Sequence, residues 1–138
     1  MLALESRCEF GLHVRAGSSA TSAMLALVSA TRDDLRGHLE AYYRSCGWPV
    51  EHASDGTLRA RGAGGVTWIG LVVIPEDIAE GGLAARLRGL SDERMPGGGE
   101  RCPLELLPAA ECAEELRALL AELGLSELVS VYSLAAAA

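Results

Sequence analysis

The spacing of apolar positions divides the chain into short elements, and from Thr31 onward the division is sharp. Thr31 with Asp34 three residues later forms a capping box, and Asp33 and Asp34 favour the positive end of a helix dipole. Leu35, Leu39, Tyr42 and Cys46 recur at helical spacing, and Gly47 followed by Trp48-Pro49 ends the helix. A strand is expected around Val50 to Ala53, then a turn at Ser54-Asp55-Gly56, then a second strand over Thr57 to Arg61 where polar and apolar residues alternate. After the turn at Gly62-Ala63-Gly64-Gly65, the run from Val66 to Ile74 is almost wholly apolar, as in a strand covered on both faces.

Pro75-Glu76-Asp77 opens a second helix with the apolar stripe Ile78, Leu83, Leu87 and Leu90, which Gly81-Gly82 should fray or kink. The loop Met95-Pro96-Gly97-Gly98-Gly99 leads to a short strand over Cys102 to Leu107. Pro108 introduces the clearest helix, with Cys112, Leu116, Leu119, Leu120 and Leu123 facing inward and Gly124 as its left-handed cap. Leu128 to Leu134 closes the pattern as a final apolar strand.

The order from Thr31 is therefore αβββαβαβ. Helices separating the last three strands imply parallel crossovers, so the expected fold class is α/β (or α+β), a mixed sheet with helices packed against it. Residues 31–134 form one domain, residues 1–30 an arm or a short strand around Cys8 to Val14, and residues 135–138 a disordered alanine tail. Met-Leu-Ala-Leu occurs at Met1 and again at Met24, which leaves two readings open, Met24 as an alternative start or the stretch as simply an arm.

This element order resembles the restriction-endonuclease-like fold, in which a helix and a three-strand meander precede a crossover. The resemblance implies an acid at the end of one meander strand and an acid-x-lysine on the next. Asp55 stands near the first position, but the partner strand reads Trp68-Ile69-Gly70-Leu71, with neither acid nor lysine. The likeness therefore extends to the fold and not to nuclease chemistry, and fold alone does not assign function.

Composition narrows the chemistry further. The 138 residues contain no lysine, asparagine or glutamine, a bias expected of a GC-rich bacterial genome. Without lysine, a Walker-type phosphate loop, a Schiff-base enzyme and a kinase cannot operate in their standard forms. The net charge of −7 and the 4% aromatic content disfavour nucleic acid as a partner. Arg59 and Arg61 form the close strand pair of cations, read as a solvated face. No apolar run is long enough for a helical membrane span, Ile69 to Ile74 with its one internal glycine included. Met24 to Ala30 imitates the end of a secretory leader, but it is short, and Glu5 and Glu9 lie where basic residues belong.

Cys8, Cys46, Cys102 and Cys112 lack regular spacing and are expected as free, mostly buried thiols of the cytoplasm. With His13, His38 and His52 they give no Cys-x-x-Cys and no His-x-x-x-His, so no metal ligand is assigned. Cys102, beside the glycine loop, is the thiol expected to be accessible. His52 with Glu51 is the best acid-base pair, yet neighbouring strand residues point to opposite faces. Gly-x-Ser-x-Gly is absent, and the glycine loops lead into strands rather than helix starts. Glu76-Asp77 and Asp33-Asp34 are read as caps, and Glu114, Glu115 and Glu122 as a solvated face.

No catalytic residue or cofactor follows from these residues. The leading expectation is a non-catalytic interaction or assembly module with a protein partner or a second copy of itself, using the last strand or the segment before Thr31. The alternative is an enzyme or small-ligand protein with its site at the carboxyl ends of the parallel strands, near Ile74 to Asp77, Leu107 to Ala110 and Met95 to Glu100. A third class, a catalytically degenerate nuclease-fold protein, requires arginines gathered on one face.

Overall fold

The described residues open on a complete capping box. In the computed structural model, which describes residues 31–133, the Asp34 amide donates to Thr31 Oγ1 at 3.1 Å and the Thr31 amide donates back to the Asp34 carboxylate at 3.2 Å. Helix α1, Arg32–Ser45, follows, and it buries Leu35, Leu39, Tyr42 and Tyr43. The expectations for residues 1–30, including the Cys8 to Val14 strand and the alternative start, lie outside the described residues, as does the tail.

Strands β1 (Val50–His52), β2 (Leu58–Arg61) and β3 (Thr67–Val73) form the expected antiparallel meander. Asp55-Gly56 turns the first hairpin, with Gly56 at φ +89°. Strands β4 (Leu104–Pro108) and β5 (Val129–Val131) add in parallel, giving a five-stranded mixed sheet in the order β1-β2-β3-β4-β5. The protein is thus a mixed-sheet α/β domain over its described residues.

The long second helix divides where its glycines predict. Gly81 and Gly82 take φ of +76° and +77°, a region other residues enter at a cost, so α2 (Pro75–Ala79) stops and α3 (Leu83–Ser91) starts anew. Residues Ala110–Cys112 make one 3₁₀ turn before α4 (Ala113–Leu123), which ends on Gly124 at φ +73°.

Side-chain alternation assigns the two faces of the sheet. Gly70 of β3 pairs with Glu105 of β4 and lies against Leu39 and Tyr43, so this set of positions faces α1. Ile69, Leu71, Val73, Leu104 and Leu106 point the other way and are buried, so a second layer must cover them. Helices α3 and α4, which pack on each other and send Leu83, Leu87, Leu90, Leu116 and Leu120 into the same core, supply it. Burial on both faces explains why β3 and β4 read as continuous apolar runs.

One expected grouping fails. The Met95 to Glu100 loop does not join the carboxyl ends of the parallel strands. The Met95 sulfur receives the amide of Thr67, the first residue of β3, at 3.5 Å. The chain must return to the amino ends before β4 can start parallel to β3, and this loop lies on that return.

Candidate functional site

Two polar constellations remain once the core is set aside. The first is buried, and its centre is Glu105. The Tyr43 hydroxyl donates to Glu105 Oε1 at 2.6 Å, and the Tyr132 hydroxyl donates to Oε2 at 2.5 Å. Glu105 is 1% exposed on a central strand, with Tyr43 arriving from α1 and Tyr132 from just past β5. Gly70 creates the room, because a Cβ there would stand 2.8 Å from the Tyr43 hydroxyl and 2.8 Å from Leu39 Cδ2. Tyr42 packs edge-on against the Tyr132 ring at 5.3 Å. Burial first, and then the negative charge of Glu105, push the Tyr43 and Tyr132 hydroxyls far above the ordinary phenol range, so both stay donors.

Sequence reading missed this cluster. Its signal was a lone acid inside the apolar run Leu104-Glu105-Leu106-Leu107, where a charged side chain is placed only with partners to receive it.

The second constellation lies at the carboxyl ends of the parallel strands. Because β1 runs parallel to β3, the hairpin turn at Ser54 to Thr57 sits at this end with Ile74 and the start of α1. Asp77 accepts the Ile74 amide at 2.9 Å, as a cap should, and also receives both Arg32 terminal nitrogens at 2.9 Å each. Burial alone would raise the Asp77 carboxyl, but the Arg32 fork and the Ile74 amide outweigh it and hold it below the usual range. Arg59 is no solvated cation: it is clamped between Asp55 and Glu93 and is itself half-buried. Arg61 is exposed, as expected.

Beside the Arg32–Asp77 pair an open groove of about 560 Å³ is lined by Thr31, Arg32, Ile74, Pro75, Glu76 and Glu111. Ile74, Pro75 and Glu76 of the expected carboxyl-end grouping thus line one groove, and Glu111 brings the segment after β4 to it.

The remaining candidates separate. His52 Nε2 lies 2.8 Å from Glu40 on α1, at an exposed position, rather than pairing with Glu51. Cys102 is 3% exposed, with its thiol raised above the ordinary value chiefly by burial, so it is not the accessible thiol expected. Cys112 is likewise buried and raised by burial. Cys46 corrects the expectation of free thiols, because it is disulfide-bonded. Among the described residues no group of three histidines, cysteines or acids is placed to hold a metal, and no helix is long and apolar enough to cross a membrane. No family model, no curated protein and no solved structure matches this chain.

Proposed function

We propose that this domain is a non-catalytic interaction module that joins a second chain along β5. The outer edge of that strand carries the reading. The Tyr132 amide donates inward to Leu106 at 2.8 Å, so strand alternation turns the amide and carbonyl of Val131 outward, where no described residue pairs with them. Leu128, at the entrance to this strand, is 48% exposed and stands alone among the described residues as a large exposed hydrophobe. An open main-chain edge beside an apolar anchor suits strand addition by another polypeptide.

The chemistry of the polar groups supports the same reading. Glu105 holds two tyrosines, Asp77 holds Arg32, Asp55 and Glu93 hold Arg59, and Glu40 engages His52. These side chains are committed to architecture. The test is association measured on Leu128→Arg and Val131→Pro, the latter removing an outward amide without touching the β4 ladder. Both should abolish a complex that the wild-type chain forms, and unchanged association in both variants would refute the β5 reading.

The groove beside Arg32 favours a second reading, a small-ligand site at the carboxyl ends of the strands. For the degenerate-nuclease class, Arg32, Arg36 and Arg86 do gather at that end, where Asp33, Asp55 and Asp77 stand among them, which argues against a phosphate backbone there. The composition supports a bacterial source. The thiols of Cys102 and Cys112 support a reducing compartment, whereas the Cys46 disulfide weighs against one. Thiol counting on protein taken from its host separates the two.

A further inference from the structure

Arg36 and Arg86 start from helices on opposite faces of the sheet and end over the same residue. A side-chain carbon on Gly56 would lie 3.2 Å from Arg86 Nη2 and 3.9 Å from Arg36 Nη2. Arg36 Nη2 donates to the Gly56 carbonyl at 3.3 Å, and Arg86 Nη2 donates to the carbonyl of Asp55. Both of these acceptors are neutral.

The nearby carboxylates are engaged elsewhere. Asp55 takes Arg59 together with the amide and hydroxyl of Thr57, and Glu93 takes Arg59. Asp33, whose side chain is 94% exposed, approaches Arg36 only to 3.7 Å. Arg86 has no ion-pair partner among the described residues, and Asp77 acts on it from a distance. Each guanidinium carries five N–H donors, so most of the donors on both forks remain for another acceptor. Two cations that approach the same half-buried glycine repel each other more than they would in water. A doubly charged oxyanion relieves that repulsion and matches the fork geometry.

We infer that Arg36 and Arg86, meeting over Gly56, form a seat for the phosphoryl group of a small molecule. The seat lies beside the Arg32–Asp77 pair and does not depend on the β5 reading. A monoester suits it better than a nucleic-acid strand, because the wider surface at this end carries Asp33, Glu76 and Asp77 and the chain as a whole is at −7. Glycine at position 56 keeps the space between the two forks free of a side chain.

Inorganic phosphate titrated into the full chain at constant ionic strength, followed by amide and arginine side-chain NMR, tests this. Saturable shifts are expected at Gly56, Thr57, Arg36 and Arg86, with sodium chloride giving none. Arg86→Gln should weaken binding about tenfold or more, and Arg61→Gln, an exposed arginine on β2, should leave it unchanged. If Arg86→Gln fails to fold, Arg36→Gln and Arg86→Lys are read instead, and the lysine variant should bind more weakly than wild type because it loses the fork. Absence of saturation, equal weakening by Arg61→Gln, or tighter binding of a short DNA duplex than of glycerol phosphate would each overturn the proposal.

Discussion

Removing one hydroxyl from the buried cluster should be among the most costly conservative changes this protein can suffer. Tyr132→Phe keeps the ring against Tyr42 and deletes only the donor that reaches Glu105 Oε2 at 2.5 Å. Hydrogen bonds to charged groups contribute about 1.5–3 kcal/mol, and this one is made to a side chain that is 1% exposed. The expected loss is therefore about 2 kcal/mol, equivalent to a fall in Tm of roughly 8 °C for a domain of this size. Urea unfolding followed through the fluorescence of Trp48 and Trp68 measures it. Glu105→Leu should cost less when Tyr132 is already phenylalanine, with a coupling of about 1 kcal/mol or more between the two sites. A loss below about 0.5 kcal/mol for Tyr132→Phe, the level of an ordinary surface substitution, would refute the reasoning.

Three further outcomes follow from the same geometry. Gly70→Ala places a Cβ 2.8 Å from both the Tyr43 hydroxyl and Leu39, and calorimetry should show a loss of about 1–3 kcal/mol from overpacking. Tyr43 and Tyr132 have folded pKa values above those of the unfolded chain, so the stability they supply is complete below about pH 10 and is lost as pH rises beyond it. Urea midpoints should fall above pH 10 in wild type, and less steeply in a Tyr43→Phe/Tyr132→Phe double variant. Asp77 has a folded pKa below its unfolded one, so Asp77→Asn should destabilise by about 1 kcal/mol at neutral pH, with the difference from wild type shrinking as pH falls below about 4.

The elements were legible because local rules agreed with tertiary ones. Thr31, Asp34 and the Leu35, Leu39, Tyr42 stripe defined α1 by caps and period together, and the glycine pair at 81 and 82 marked the break between α2 and α3. Gly124 was the cap that periodicity predicted. The Met95 to Glu100 loop was placed at the wrong end because element order says which strands are parallel but leaves the path of the connection to be worked out. Reasoning that a strand parallel to β3 must begin at the amino end of β3 would have placed it.

The polar clusters were hidden for a different reason. Glu105, Tyr43 and Tyr132 are 62 and 27 residues apart in the chain, and register brings them together only once β4 lies between β3 and β5. Arg36, Arg59 and Arg86 converge on Asp55-Gly56 from three elements, and none of the three is distinguished in sequence from a solvated arginine. Cys102 looked accessible because it follows three glycines, yet its amide donates to the Glu93 carbonyl at 2.8 Å, which turns the residue into the core.

The central claim is that this domain works by joining another chain, and the most direct test is its mass in solution. Light scattering on the eluting protein at micromolar concentration should give a multiple of the 14.4 kDa chain, or a stable complex with a protein partner when the protein is purified from its host. Leu128→Arg should return either species to the single-chain mass. A wild-type protein that elutes at 14.4 kDa and brings no partner with it would contradict the account.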